Sequence, residues 1–232
     1  MKKMLAVLVV LAVAAAVAFF TLNNPLGRLV KLAIEGFGPD MVQAKVSVRS
    51  VDISASDGHG KLVGFLIGNP KGFKTSHALR ADTIEIVVEP ASLTKDVVVL
   101  HKILIDAPNI SYEKNDKGSN FDAIQHNVEA YLKTSGKKND DKGAATKMII
   151  DSLVIRNAQV NYNGTIDLSL PDIELRNVGK NSGGVTSAQL TKLIITELNS
   201  KIALELVKVG AIGIVGGAAI GAGMAIKGLL DK

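Results

Sequence analysis

The sequence predicts a mainly β protein with flanking helices, an α+β chain built on a curved antiparallel sheet. A transmembrane helix is expected at the N-terminus and helices at the C-terminus. Three observations predict this. Apolar and polar residues alternate in short runs between residues 45 and 175, the period of half-buried strands. A ten-residue block recurs once, at a constant offset of 50 residues. Long uncharged stretches sit at the two ends of the chain.

The N-terminal stretch comes first. Lys2 and Lys3 precede an uncharged run over residues 4–22, 19 residues long. A helix rising ~1.5 Å per residue crosses about 28 Å with it, close to the thickness of a bilayer core. Leu5, Leu8, Leu11, Phe19 and Phe20 supply its bulk. A cleaved leader has a shorter core and a small-x-small site after it. Here Ala16-Val17-Ala18 lies inside the run, so the length favours a retained signal-anchor with a cytoplasmic N-terminus. Residues 26–37 then read as a short amphipathic helix, stopped by Gly36, Gly38 and Pro39.

From Lys45 the period becomes two. Val46 and Val48 give way to Val51 and Ile53 with a change of phase, which predicts a bulge. Strands follow at residues 61–67, around Ile84, Ile86 and Val88, at residues 97–105, and at Ile110 and Tyr112. The run Val97-Val98-Val99-Leu100 is apolar on both faces, so both faces need a cover, whether protein or lipid. Residues 120–132 read as a helix, and residues 134–146 as a polar, mobile linker. The block from Ile103 to Tyr112 then aligns without gaps to the block from Leu153 to Tyr162. Strands continue at Ile166, Leu168 and Leu170, and at Ile173 and Leu175. Thr186 and Gln189 form a capping box, starting an amphipathic helix that reaches about residue 207. Regular turns between the strands argue for an antiparallel meander of about nine strands, about 40 Å along its stacking axis.

The tail is glycine-rich. Residues 209–226 carry no charge, and Gly213, Gly217 and Gly221 recur every four residues along one helix face. Such a face lets another helix approach closely. Three readings stay open: a second membrane span, an oligomerising or membrane-surface helix, and a helix packed on the sheet. The chain thus divides into a signal-anchor (1–23), a β domain (24–180), an amphipathic helix (181–208) and a hydrophobic glycine-rich helix (209–232).

Composition narrows the chemistry. There is no cysteine, which excludes disulfides, thiolate metal sites and cysteine nucleophiles. Net charge is +5 and aromatic residues are 4%, without the interleaving of basic and stacking residues that nucleic-acid surfaces use. A mildly cationic face near anionic lipid fits better, with mere solubility as the open alternative. The four histidines share no metal-ligand spacing, and no nucleophile elbow, phosphate loop or dinucleotide fingerprint occurs. The expectation is a non-enzymatic protein without metal or cofactor.

The features form an ordered series that resembles the AsmA-like family of Gram-negative envelope proteins. It runs from the anchor and the short helix to Val48 through Ile53, then Asn69-Pro70-Lys71-Gly72-Phe73. Ala81-Asp82-Thr83-Ile84-Glu85-Ile86, Pro90-Ala91-Ser92-Leu93, the Ala107-Pro108 turn and Asn120-Phe121-Asp122 follow. The resemblance covers residues 1–180. It implies a β-groove with an apolar concave face that carries phospholipid, in a periplasmic body anchored to the inner membrane. Candidate groove residues are Ile84, Ile86, Val97, Val99, Ile103, Ile105, Leu153 and Ile155. The implied partners are membrane phospholipid, with further copies of the chain or a larger envelope protein to extend a short groove. The competing expectation is a structural or adaptor protein whose sheet is closed by its own helices and whose tail oligomerises.

Overall fold

The computed structural model describes residues 25–135 and 146–211. Leu5, Leu8, Leu11, Phe19 and Phe20 of the expected anchor lie outside these residues, as do most of the expected linker and Gly213, Gly217 and Gly221 of the tail. Among the described residues no helix is long and apolar enough to cross a membrane.

Helix α1 spans Pro25–Val42. It starts with proline at its first position, where a missing N–H costs nothing. It does not stop at Gly38-Pro39, as the sequence suggests, but carries Pro39 inside it. Met41 and Val42 in the final turn are buried, and that burial offsets the hydrogen bond the proline cannot donate. Asn127 Nδ2 donates to the Val42 carbonyl at 3.0 Å, satisfying one free helix end. Gly38 has a packing reason: a Cβ there would meet Val46 at 2.9 Å.

The strands are β1 (Val46–Ser47), β2 (Ser50–Ile53), β3 (His59–Ile67), β4 (Leu79–Val88), β5 (Val97–Asp106) and β6 (Asn109–Tyr112). After a two-residue hairpin pair, β7 (Lys114–Asn115) and β8 (Gly118–Ser119), comes helix α2 (Asn120–Ser135). Strands β9 (Lys147–Arg156), β10 (Gln159–Tyr162), β11 (Ile166–Ser169) and β12 (Ile173–Val178) precede helix α3 (Ser187–Lys208). The Thr186/Gln189 capping box forms as expected.

Ten strands make one sheet curled into a half-barrel. Several strands are halves of one kinked ribbon. β4 pairs with both β5 and β6, β5 and β6 pair with β9 and β10, and these pair with β12 and β11. The sheet is therefore six ribbons across, about 24 Å, shorter than the strand count suggests.

The repeat explains the middle of the sheet, and it corrects the expected antiparallel meander. β5 pairs parallel with β9, and β6 parallel with β10. Every pair in both ladders joins residues 50 apart, from Val97 with Lys147 to Tyr112 with Tyr162. The offset seen in sequence is the pairing register. The remaining ladders are antiparallel, so the sheet is mixed.

The change of phase near Val48 is not a bulge. β1 and β2 meet β3 in one unbroken register, from Val46 opposite Ile67 to Ile53 opposite Gly60. The strand breaks opposite Gly64, whose left-handed φ of 66° turns both chains together.

The two ribbon kinks differ in a testable way. Ala107 has φ 48° and its repeat partner Asn157 has φ 55°. Asparagine tolerates this region, whereas a Cβ without a local hydrogen bond is strained by about 1 kcal/mol. Ala107→Gly is expected to raise stability by about 0.5 kcal/mol, and Asn157→Ala to lower it by about 1 kcal/mol. Urea unfolding midpoints of the two variants should move in opposite directions.

Candidate functional site

Cross-strand register brings most of the predicted groove residues together. One row on the inner face of the half-barrel holds Val51, Leu62, Ile84, Ile105, Ile155 and Ile173. The next row holds Ile53, Gly60, Ile86, Ile103, Leu153 and Leu175. Six of the eight candidates, Ile84, Ile86, Ile103, Ile105, Leu153 and Ile155, are thus nearest neighbours. β-branched side chains stacked across parallel and antiparallel pairs give a continuous apolar surface.

Val97 and Val99 stand apart. They alternate with Val98 and Leu100, which pack into or against the core, so they point to the opposite face. The phase changes between Leu100 and Ile103, where the β4 ladder also shifts register. The valines are half-buried on the outer face of the sheet.

The inner face is largely covered by helices. Phe121, Ile124 and Val128 of α2 and Ile195, Leu198, Ile202 and Leu206 of α3 are fully buried in the same core as the sheet rows. Leu153 and Ile155 lie beneath this cover, and Ile84 and Ile105 are buried too. Ile86 and Ile103 are different. They are paired across β4 and β5, only half-buried, and form an accessible seam in the second row. Gly60 keeps this place narrow, since a Cβ there would meet Ile86 Cγ1 at 2.4 Å. An open cleft of about 490 Å³ reaches Ile86 but not Ile103, and most of its lining, Asp52, His59, Lys61, Glu85, Val87 and Lys102, alternates with the inner rows and belongs to the outer face.

A buried polar cluster anchors the cover. Asn120 is fully buried at the start of α2. Its Nδ2 donates to Asn69 Oδ1 and to the Ser111 carbonyl, both at 2.7 Å. Its Oδ1 accepts from the backbone N–H of Glu113 at 3.0 Å and of Phe121 at 3.1 Å. Asn69 in turn donates to the Thr75 carbonyl at 2.8 Å, closing the Asn-Pro-x-Gly-Phe loop. The Glu113 carboxylate accepts from the Lys74 and Thr75 N–H groups at 2.8 and 2.9 Å. Burial pushes the Glu113 carboxyl up, but the Thr75 and Lys74 N–H groups outweigh it and hold the carboxyl below its ordinary range.

Each residue of Asn120-Phe121-Asp122 has its own task. Asn120 ties α2 to the loop after β3. Phe121 fills the core beside Tyr112, ring centroids 5.6 Å apart. Asp122 and Ser119 cap each other reciprocally, at 3.0 Å both ways. Asp122 Oδ1 also accepts from Asn199 of α3 at 2.8 Å, and Asn199 Oδ1 accepts from the Tyr112 hydroxyl at 2.9 Å. Burial pushes the Tyr112 phenol up to about 12, keeping it a donor. The Ser-x-x-Asp spacing is a readable capping signal. The Asn69–Asn120 pair leaves none, because its members are 51 residues apart.

On the outer face two clusters staple the parallel ladder at the repeat offset. Arg156 Nη2 donates to Asp106 Oδ2 at 3.0 Å. His101 Nδ1 meets Asp151 Oδ2 at 2.8 Å, and its Nε2 meets Glu89 Oε2 at 3.1 Å. Asp151 and then Glu89 raise the His101 pKa above its ordinary value. The charged imidazole therefore contributes stability that is fully present below about pH 6.5 and fades as pH rises through the raised folded value. Thermal melts of wild type and His101→Gln are expected to differ near pH 6 and converge by pH 9. All three side chains are more than a third exposed, so the difference is small.

Among the described residues no group of three or more His, Cys, Asp or Glu is placed to hold a metal ion.

No curated protein matches the chain. The family model of the AsmA family matches residues 60–203, from the start of β3 to the last third of α3. That stretch contains both copies of the repeat, the Asn69 loop, the Asn120 cluster and the Ile86–Ile103 pair, and by it the chain belongs to the AsmA family.

Proposed function

We propose that this chain is an inner-membrane-anchored periplasmic protein that holds phospholipid against the apolar inner face of its half-barrel and contributes to envelope phospholipid transport or outer-membrane homeostasis. Membership of the AsmA family supports an envelope role. The observation that carries the lipid reading is the half-buried pair Ile86 and Ile103, set in an inner row whose other large side chains, Ile53, Leu153 and Leu175, are buried. An acyl chain lying there covers exposed apolar surface at ~25 cal/mol per Å². The protein is read as non-enzymatic, acting by binding alone. At six ribbons it is too short to bridge two membranes, so it acts locally, as an oligomer, or with a larger envelope partner.

A photoreactive amino acid placed at Ile103 tests this in growing cells. A phospholipid adduct at Ile103, absent at Val99 on the outer face, is the expected outcome. A second reading is favoured by one observation, the filling of the inner face by α2 and α3. On that reading the protein is structural, an adaptor without lipid, and neither position gives an adduct.

A further inference from the structure

Helix α1 is amphipathic twice over. Its inner side is fixed to the sheet. Met41 and Val42 belong to the core, and Leu26, Val30 and Ile34 pack against it. Lys31 Nζ donates to the Val48 carbonyl, and to that of Arg49 at 3.1 Å. Glu35 Oε1 accepts from the Val48 N–H at 3.1 Å and pairs with Lys31 at 3.3 Å. These contacts lock the helix against rotation about its axis.

The locked orientation leaves an apolar stripe in water. Leu29, Leu32 and Phe37 are 64%, 65% and 62% exposed, and exposed Ala33 and Gly36 lie between them. Positions 29, 32, 33, 36 and 37 fall on one helix face over about 12 Å. Single exposed leucines are ordinary, but three large apolar side chains in one stripe are not. Only two other large apolar side chains are exposed among the described residues, Leu204 and Val209. The exposed Arg28 flanks the stripe, and no acidic residue enters it before Asp40.

What covers it is indicated by the chain upstream. Three residues separate the uncharged run of residues 4–22 from Leu26. Three residues reach about 10 Å at most. A helix so close to a membrane-crossing run must lie beside the bilayer surface, and Arg28 suits its anionic headgroups. We propose that the outer face of α1 docks on a glycerophospholipid bilayer, with Leu29, Leu32 and Phe37 inserted at the headgroup boundary. This rests on the anchoring part of the functional reading. It sets the half-barrel at a fixed orientation to the membrane, because α1 is rigid with β1 and β2.

The cysteine-free sequence makes the test direct. Full-length Leu32→Cys, Phe37→Cys and, as an exposed control on the sheet, Arg176→Cys are labelled with an environment-sensitive dye. They are reconstituted into vesicles of phosphatidylethanolamine and phosphatidylglycerol carrying brominated acyl chains. Flotation with the vesicles reports the anchor, and quenching reports the stripe. At least twofold quenching at positions 32 and 37, with none at 176, is expected. Flotation without quenching overturns the docking proposal and leaves the anchor standing. A chain that does not float overturns both. Shielding of the dye that appears only with energy transfer between copies makes the stripe a dimer contact and overturns lipid docking.

Discussion

Leu153→Ala is expected to lower stability by about 4 kcal/mol, the upper part of the range for a buried leucine. Leu153 has no exposed surface and sits between Ile103 and Leu175 in the second inner row. Its partners Ile103 and Leu175 are held in hydrogen-bonded ladders on both sides, so the cavity left behind collapses little. Ile103→Ala, one ribbon away in the same row, is expected to cost about half as much, because part of its side chain already meets solvent. Urea denaturation of the two variants checks the ratio. Equal costs would mean that the Ile86–Ile103 seam is as well covered as the rest of the inner face.

The second large effect lies in the polar cluster. Asn120→Ala is expected to cost about 3 kcal/mol. It removes four hydrogen bonds and leaves the Glu113 N–H and the Ser111 carbonyl buried without their side-chain partner. In a chain of this length the melting temperature should fall by about 8 °C. Asn120→Asp keeps the two acceptor contacts but turns a carboxylate toward Asn69 Oδ1 and the Ser111 carbonyl. Acid protonates that carboxylate and restores one donor, so Asn120→Asp should recover stability as pH falls, and Asn120→Ala should not. Parallel melts at pH 5 and pH 7.5 separate the two.

Much of this architecture is legible in the sequence, and the exceptions have physical causes. The strand positions follow from alternation, which needs only neighbouring residues. α3 is readable from Thr186 and Gln189, because a capping box is local. The direction of pairing is not local. Turns between successive strands argue for antiparallel neighbours, yet β5 and β9 meet in parallel across α2 and the linker. The constant offset of 50 contained that register, since a gapless repeat can stack on itself without shift. Gly38-Pro39 reads as a helix stop because proline lacks a donor, but tertiary burial of Met41 and Val42 prevails. Alternation places Val97 and Val99 on the face of Ile103 only if the strand keeps one phase, and it does not. The Asn69–Asn120 bond joins two motifs that carry the family resemblance, and its meaning emerges only when the loop and the helix start meet in space.

The central claim is that phospholipid occupies the seam at Ile86 and Ile103. Its most direct test is native mass spectrometry of the full-length chain and of Ile103→Trp, both extracted from bacterial membranes under matched conditions. The account predicts a phospholipid-sized mass increment on the wild type that is lost in Ile103→Trp while the melting temperature is kept. A wild type without lipid, or an Ile103→Trp variant that retains it equally, would contradict the account.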